Sequence, residues 1–149
     1  MKVLLKVHAL VLAITRRLHW LPPLLARLVV GAVFMESGWG KLHNLEKVTA
    51  YFTGLGIPAP GAQALLVANT EFFCGLLLIV GLLTRYAAVP LICTMVVALI
   101  TAKKDEIHGV TDLFGISEFL YIPLLLWLIV SGAGSVSLDF IARRRLASK

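Results

Sequence analysis

Residues 27–42 read RLVVGAVFMESGWGKL, and the fold turns on how that stretch is read. It is apolar enough for a membrane span, yet it carries Glu36 in its body and Lys41 at its end. A carboxylate at the centre of a bilayer-spanning helix costs about 2.5–3.5 kcal/mol on insertion scales. Glu36 therefore needs a partner, a proton or a task, and the rest of the chain has to supply one of them.

The surrounding composition supports the span. The 149-residue chain is 59% hydrophobic with a mean hydropathy of +0.91, whereas an ordinary soluble domain is nearer half apolar. The expected class is all-α: a polytopic membrane four-helix bundle forming one domain over residues 1–149, with room for about four spans of about 20 residues. The net charge of +6 does not point to nucleic acid. The lysines and arginines flank apolar runs rather than making a basic face interleaved with aromatics, so the expected contact is the lipid bilayer.

Leu4, Val7, Val11, Ile14, Leu18 and Leu21 recur at helical spacing among Lys2, Lys6, Arg16 and Arg17. Residues 1–21 thus read as an amphipathic interfacial helix, ended by Pro22-Pro23. Lys6 and His8 interrupt its apolar side, and no small-residue cleavage site follows Arg16-Arg17, so a cleaved signal peptide is not expected. Spans are expected over about residues 24–42, 62–84, 86–102 and 118–136. Between the first two, Asn44 is placed to cap a short helix with Glu46 in its first turn and Leu45, Val48, Phe52 and Leu55 along one edge. Gly54 and Gly56 end it, Pro60 opens the next span, and the segment reads as a half-lid on the membrane surface. Pro90 falls early in the third span. Pro123 is expected to free the carbonyl of Phe119 and kink the fourth, which Ser117 is placed to cap. Residues 138–149 form a basic tail. Placing both termini in the cytoplasm puts ten lysines and arginines inside and four outside (Lys41, Lys47, Lys103 and Lys104), as the positive-inside rule prefers.

In that topology Glu36 lies roughly 9 Å and Glu71 roughly 13 Å below the outer ends of their spans, at about 1.5 Å per residue. Glu118 sits at the outer end of the fourth. Lys41, His43, Lys103 and His108 are expected to ring the mouth of the bundle. Each group has a plain structural explanation. Glu36 and Glu71 can hydrogen-bond between helices, the latter helped by Asn69 and Thr70. Glu118 suits a helix N-terminus, Lys41 can snorkel, and Trp39 can anchor at the interface.

The sharper reading is a shared acidic pocket of Glu36, Glu71 and Glu118 beside Trp39 and Lys41. Carboxyl groups taken out of water are suited to exchanging protons. A quinone or quinol, with oxygens for the acids and a ring for Trp39, matches that chemistry. No histidine falls inside an expected span, so haem in the bundle is not expected. The histidines and the two cysteines, Cys74 and Cys93, show no metal-ligand or CxxC spacing. The cysteines read as small buried hydrophobes. No intrinsic cofactor and no metal are expected.

The stretches RLVVGAVFMESGWGKL, FTGLGIPAPGA, VANTEFFCGLLLIVGLLTRYAAVPL and SEFLYIPLLLWLIVSGAGSVSLD resemble the DoxX family of small four-helix bacterial membrane proteins, over about residues 22–145. The resemblance implies a multi-pass inner-membrane protein associated with redox or oxidative-stress complexes and with quinone-dependent sulfur oxidation. It maps recurring polar positions onto Glu36, Lys41, Glu71, Arg85 and Glu118. The leading expectation is a redox-associated membrane subunit that binds quinone and works with a redox partner protein. The alternatives are a non-enzymatic scaffold or small-solute transport module, and a structural homo-oligomer.

Overall fold

A computed structural model describes residues 1–147 and is helical from end to end. In chain order the helices are α1 (Lys2–Leu18), α2 (Leu21–Leu42), α3 (Leu45–Gly54), α4 (Pro60–Val80), α5 (Thr84–Thr101), α6 (Val110–Leu113), α7 (Ser117–Ser131) and α8 (Leu138–Ala147), with a single 3₁₀ turn at Lys104–Glu106. α2, α4 and α5 are each long and apolar enough to cross a membrane, whereas α7 is apolar but only 15 residues long. These four form the bundle: α2 packs on α4, α4 on α5, α5 on α7, and α7 returns to α2. Their shared core is Val30, Phe34, Leu78, Leu91, Leu125 and Leu128, all buried.

The α2–α4 contact is backbone against backbone. A Cβ on Gly75 would sit 2.8 Å from the carbonyl oxygen of Gly31, and one on Gly38 would sit 2.8 Å from that of Ala68. Lipid supplies no hydrophobic drive between membrane helices, so close approach through small residues is what holds such a pair.

Several local expectations are corrected. Pro22 and Pro23 do not merely end α1; they lie in the first turn of α2, where a missing amide hydrogen costs nothing. Asn44 occupies the cap position of α3, but its Nδ2 donates back to the Gly40 carbonyl at 2.9 Å instead of capping. Ser117 is the first residue of α7, after Ile116 at the cap, and its Oγ donates to Glu118 Oε2 at 3.0 Å. Pro90, expected early in its span without breaking it, does lie inside an unbroken α5, in the second turn rather than the first. Cys93 is exposed on the outside of the bundle rather than buried.

The fourth helix does not reach residue 136. Gly132, at φ +76°, turns the chain out of helix after Ser131. The reason lies on α2. Arg27, only 2% exposed, donates from Nη1 to the Ala133 carbonyl at 3.0 Å and from Nη2 to that of Val136 at 2.8 Å. A guanidinium thus satisfies carbonyls that a broken helix leaves open. Gly81, in the turn between α4 and α5, has no room for a side chain because a Cβ would run into the Arg27 guanidinium. Its carbonyl accepts from the Asp139 amide at 3.0 Å. The Asp139 carboxylate accepts from the amides of Leu83 (2.8 Å) and Thr84 (3.2 Å), capping α5 from α8. Ser137 Oγ accepts from the Phe140 amide at 3.1 Å and starts α8. One end of the bundle, called here the α8 end, is therefore pinned by polar bonds. The last two residues of the expected basic tail lie outside the described residues.

Candidate functional site

The opposite, α3 end is open. A cavity of about 590 Å³ lies there between α2, α3, α4, α5 and α7. Val33, Phe34, Val67, Met95, Val97 and Ala98 make its walls apolar, and Tyr51, Phe52, Leu55 and Ile57 cover its mouth. Its size and lining fall within the range of small-molecule sites, which are mostly apolar with a few placed polar groups.

Those polar groups follow from helix periodicity. Phe34, Ser37 and Lys41 recur at three- and four-residue spacing, so all three point from α2 into the cavity. Lys41 Nζ donates to Ser37 Oγ at 2.6 Å and forms an ion pair with Glu71 of α4. Glu71 is 3% exposed and the Lys41 side chain 26%. The acid is thus buried at the floor while the ammonium reaches toward the opening. Buried charge is tolerated when it is paired, and here the partner lies in the last turn of α2.

Nearer the mouth, Glu118 of α7 and Lys103 also line the cavity. Lys103 donates to Glu106 at 2.8 Å. That hydrogen bond, opposed by partial desolvation and reinforced by the charges of Glu106, Glu118 and Tyr51, holds Lys103 above the ordinary lysine range.

Of the expected site residues, Lys41, Glu71 and Glu118 meet around one cavity. Glu36 and Trp39 are not among its lining residues. Helix geometry explains the split, since five residues turn about 140° around the axis and send Glu36 and Lys41 to different faces of α2. Glu36 is exposed. Trp39, 54% exposed, stacks against His43 at 4.1 Å and Phe72 at 5.6 Å between ring centroids. His43 and His108 are both exposed and neither lines the cavity. Arg85 is exposed at the other end, donating to the Val130 carbonyl at 3.2 Å. Among the described residues, no group of three or more histidine, cysteine, aspartate or glutamate side chains converges.

Sequence reasoning passed over Ser37, Gln63, Thr94 and Tyr121, all of which line the cavity. The signal for Ser37 was its four-residue offset from Lys41. Tyr121, which packs on Phe34 with ring centroids 5.5 Å apart, lay hidden in the uniformly apolar run that follows Glu118.

Comparison with known proteins agrees on the family. Residues 23–104 match the family model described as DoxX. The chain is 36% identical to a Mycobacterium tuberculosis protein named "Uncharacterized membrane protein Rv3486", over 83% of this chain and 80% of the relative. It is 30% identical to the Bacillus subtilis protein named "Putative oxidoreductase CatD", over 78% and 83% respectively. It is also 29% identical to the Escherichia coli "Inner membrane protein YqjF", over 82% and 92%. No solved structure matches.

Proposed function

Since this chain belongs to the DoxX family of membrane proteins, we propose that it is a redox-associated membrane subunit that takes a quinone or quinol into the cavity at the α3 end. The observation that carries the reading is the composition of that cavity: apolar walls around a single buried ion pair, Lys41–Glu71, with Ser37 alongside. A ring fits apolar walls, and of its two oxygens, on opposite sides of the ring, one can meet the Lys41–Glu71 pair and the other the polar groups nearer the mouth, Glu118 and Lys103. The name of the Bacillus subtilis relative favours a redox setting. The excess of lysine and arginine at the α8 end favours both termini in the cytoplasm, an inner-membrane location and a cavity opening toward the outer side.

A bound quinone supplies a two-electron, two-proton couple; the protein's residues bind it and handle protons. The Lys41 ammonium has three N–H bonds, two committed to Ser37 and Glu71, which leaves one for a ligand oxygen. With a quinol bound, Glu71 is placed to take one of its two hydroxyl protons and Glu118, nearer the mouth, the other, while the two electrons leave to an acceptor. Phe34, Met95 and Val67 exclude solvent from the floor. Electron transfer falls to a partner protein. Below the floor, the core of Val30, Leu78, Leu91, Leu125 and Leu128 is closed, which disfavours a solute path through the bundle.

The test is extraction of protein purified from native membranes, with chromatography of the lipids. Quinone is expected to accompany wild type and to fall at least tenfold in Val67→Trp, which fills the cavity while leaving the ion pair intact. Quinone-free wild type, or undiminished quinone in a folded Val67→Trp protein, would falsify the reading and leave a scaffold as the better description.

A further inference from the structure

Polar side chains enter the cavity from opposite walls. Around the bundle, α4 has α2 and α5 as its neighbours, and so does α7, so α4 and α7 face each other across the middle. Glu71, held by Lys41, belongs to the α4 wall, and Tyr121 lines the cavity from α7.

The ring of Tyr121 is fixed and its hydroxyl is not. The ring packs on Phe34, with centroids 5.5 Å apart and planes inclined by 58°, and against the buried core beneath the cavity. Among the described residues the hydroxyl makes no hydrogen bond, whereas a tyrosine taken out of water ordinarily finds a partner for its O–H. The other polar groups of the inner walls have theirs. Lys41 donates to Ser37 and Glu71, and Thr94 donates to the Leu91 carbonyl within its own helix at 2.8 Å. Side chains on a helix lean toward its N-terminus. α7 begins at the open end with Ser117 and Glu118, which also line the cavity, so this lean carries the Tyr121 hydroxyl toward the cavity and away from the closed core.

We propose that Tyr121 is a ligand-binding residue of this site, its hydroxyl holding the second oxygen of a para-quinone or quinol whose first oxygen sits at Lys41–Glu71. The inference rests on the quinone reading and narrows it to rings that carry oxygens at both ends. A phenol donates to a quinone carbonyl and accepts from a quinol hydroxyl, so it serves both redox states. At the mouth, Lys103 is a donor only and an ionised Glu118 an acceptor only, so each serves one state. Tyr121 also lies one helical turn further in than Glu118, on the same wall, and so meets a ring seated on the floor before the charged groups do.

The test is equilibrium binding of a short-tailed para-benzoquinone, and of the one-carbonyl cyclohexenone with the same tail, to full-length protein in lipid nanodiscs. Tyr121→Phe keeps the ring on Phe34, and its thermal unfolding should match wild type. It is expected to bind the para-quinone about threefold to tenfold more weakly, and to bind the one-carbonyl ring as wild type does, because that carbonyl is held at Lys41. Equal affinity of the two proteins for the para-quinone would overturn the assignment while leaving the quinone reading in place. Equal weakening toward both ligands would overturn it as well, by making the hydroxyl a matter of cavity shape. A wild type that binds neither ligand would remove the quinone reading and this inference together.

Discussion

Replacing Lys41 with methionine strands Glu71, which has 3% exposure and, among the described residues, no other partner at its carboxylate, inside the bundle. The expected loss is about 3 kcal/mol of stability, because an uncompensated buried charge costs far more than a pair contributes. Replacing both, as Lys41→Met with Glu71→Leu, should recover most of it; unfolding in mixed detergent measures the difference, and a double variant as unstable as the single would contradict the pairing. Both ends of this pair were evident as polar residues in apolar runs, but their pairing was not. The sequence reading grouped acids by depth, whereas the fold sorts them by azimuth: Lys41 and Ser37 turn inward on α2 while Glu36 turns outward. Depth follows from counting residues, but azimuth depends on which face each helix gives to its neighbours.

Between helices, the α2–α4 contact leaves no space at Gly38, where an added Cβ would meet the backbone of Phe72 and Ala68. Gly38→Ala is expected to cost about 1–3 kcal/mol by forcing the helices apart. Gly54→Ala, which meets nothing within 4 Å, should be neutral or slightly stabilising, through helix propensity. Thermal unfolding of the two variants side by side checks this. At the α8 end, Arg27→Met removes two charge-assisted bonds to the Ala133 and Val136 carbonyls. The expected effect is a loss of about 2–4 kcal/mol and faster amide exchange across residues 132–140, with the cavity end unchanged. The helices themselves were legible from their apolar runs and prolines, including Pro60 at the start of α4. The break after Ser131 was not read, although Gly132-Ala133-Gly134-Ser135 is the kind of small-residue run that ends helices, because Arg27 looked like one more flanking cation. Its distant carbonyl partners, more than a hundred positions away, leave no periodic trace.

For the molecule as a whole, the orientation is open to direct measurement. With Cys74 and Cys93 replaced, Val110→Cys, at the exposed first residue of α6, should react with a membrane-impermeant maleimide from outside intact cells, and Phe140→Cys only after permeabilisation. Labelling in the reverse pattern would invert the bundle and place the cavity mouth in the cytoplasm. The family and the bundle class were legible from the sequence because hydropathy and short connections set both, while the cavity needed the relative rotation of four helices. The shortened α7 also has a consequence for the surrounding lipid. At about 1.5 Å per residue, the 22 residues of α2 span about 33 Å, whereas the 15 of α7 span about 22 Å, below the roughly 30 Å of an average hydrocarbon core. One flank of the molecule is therefore a low wall, and acyl chains beside it must shorten, tilt or thin to keep its ends wet. The protein should gather short-chain lipids along α7 and deform long-chain bilayers on that side alone, giving a featureless sheet of lipid a direction.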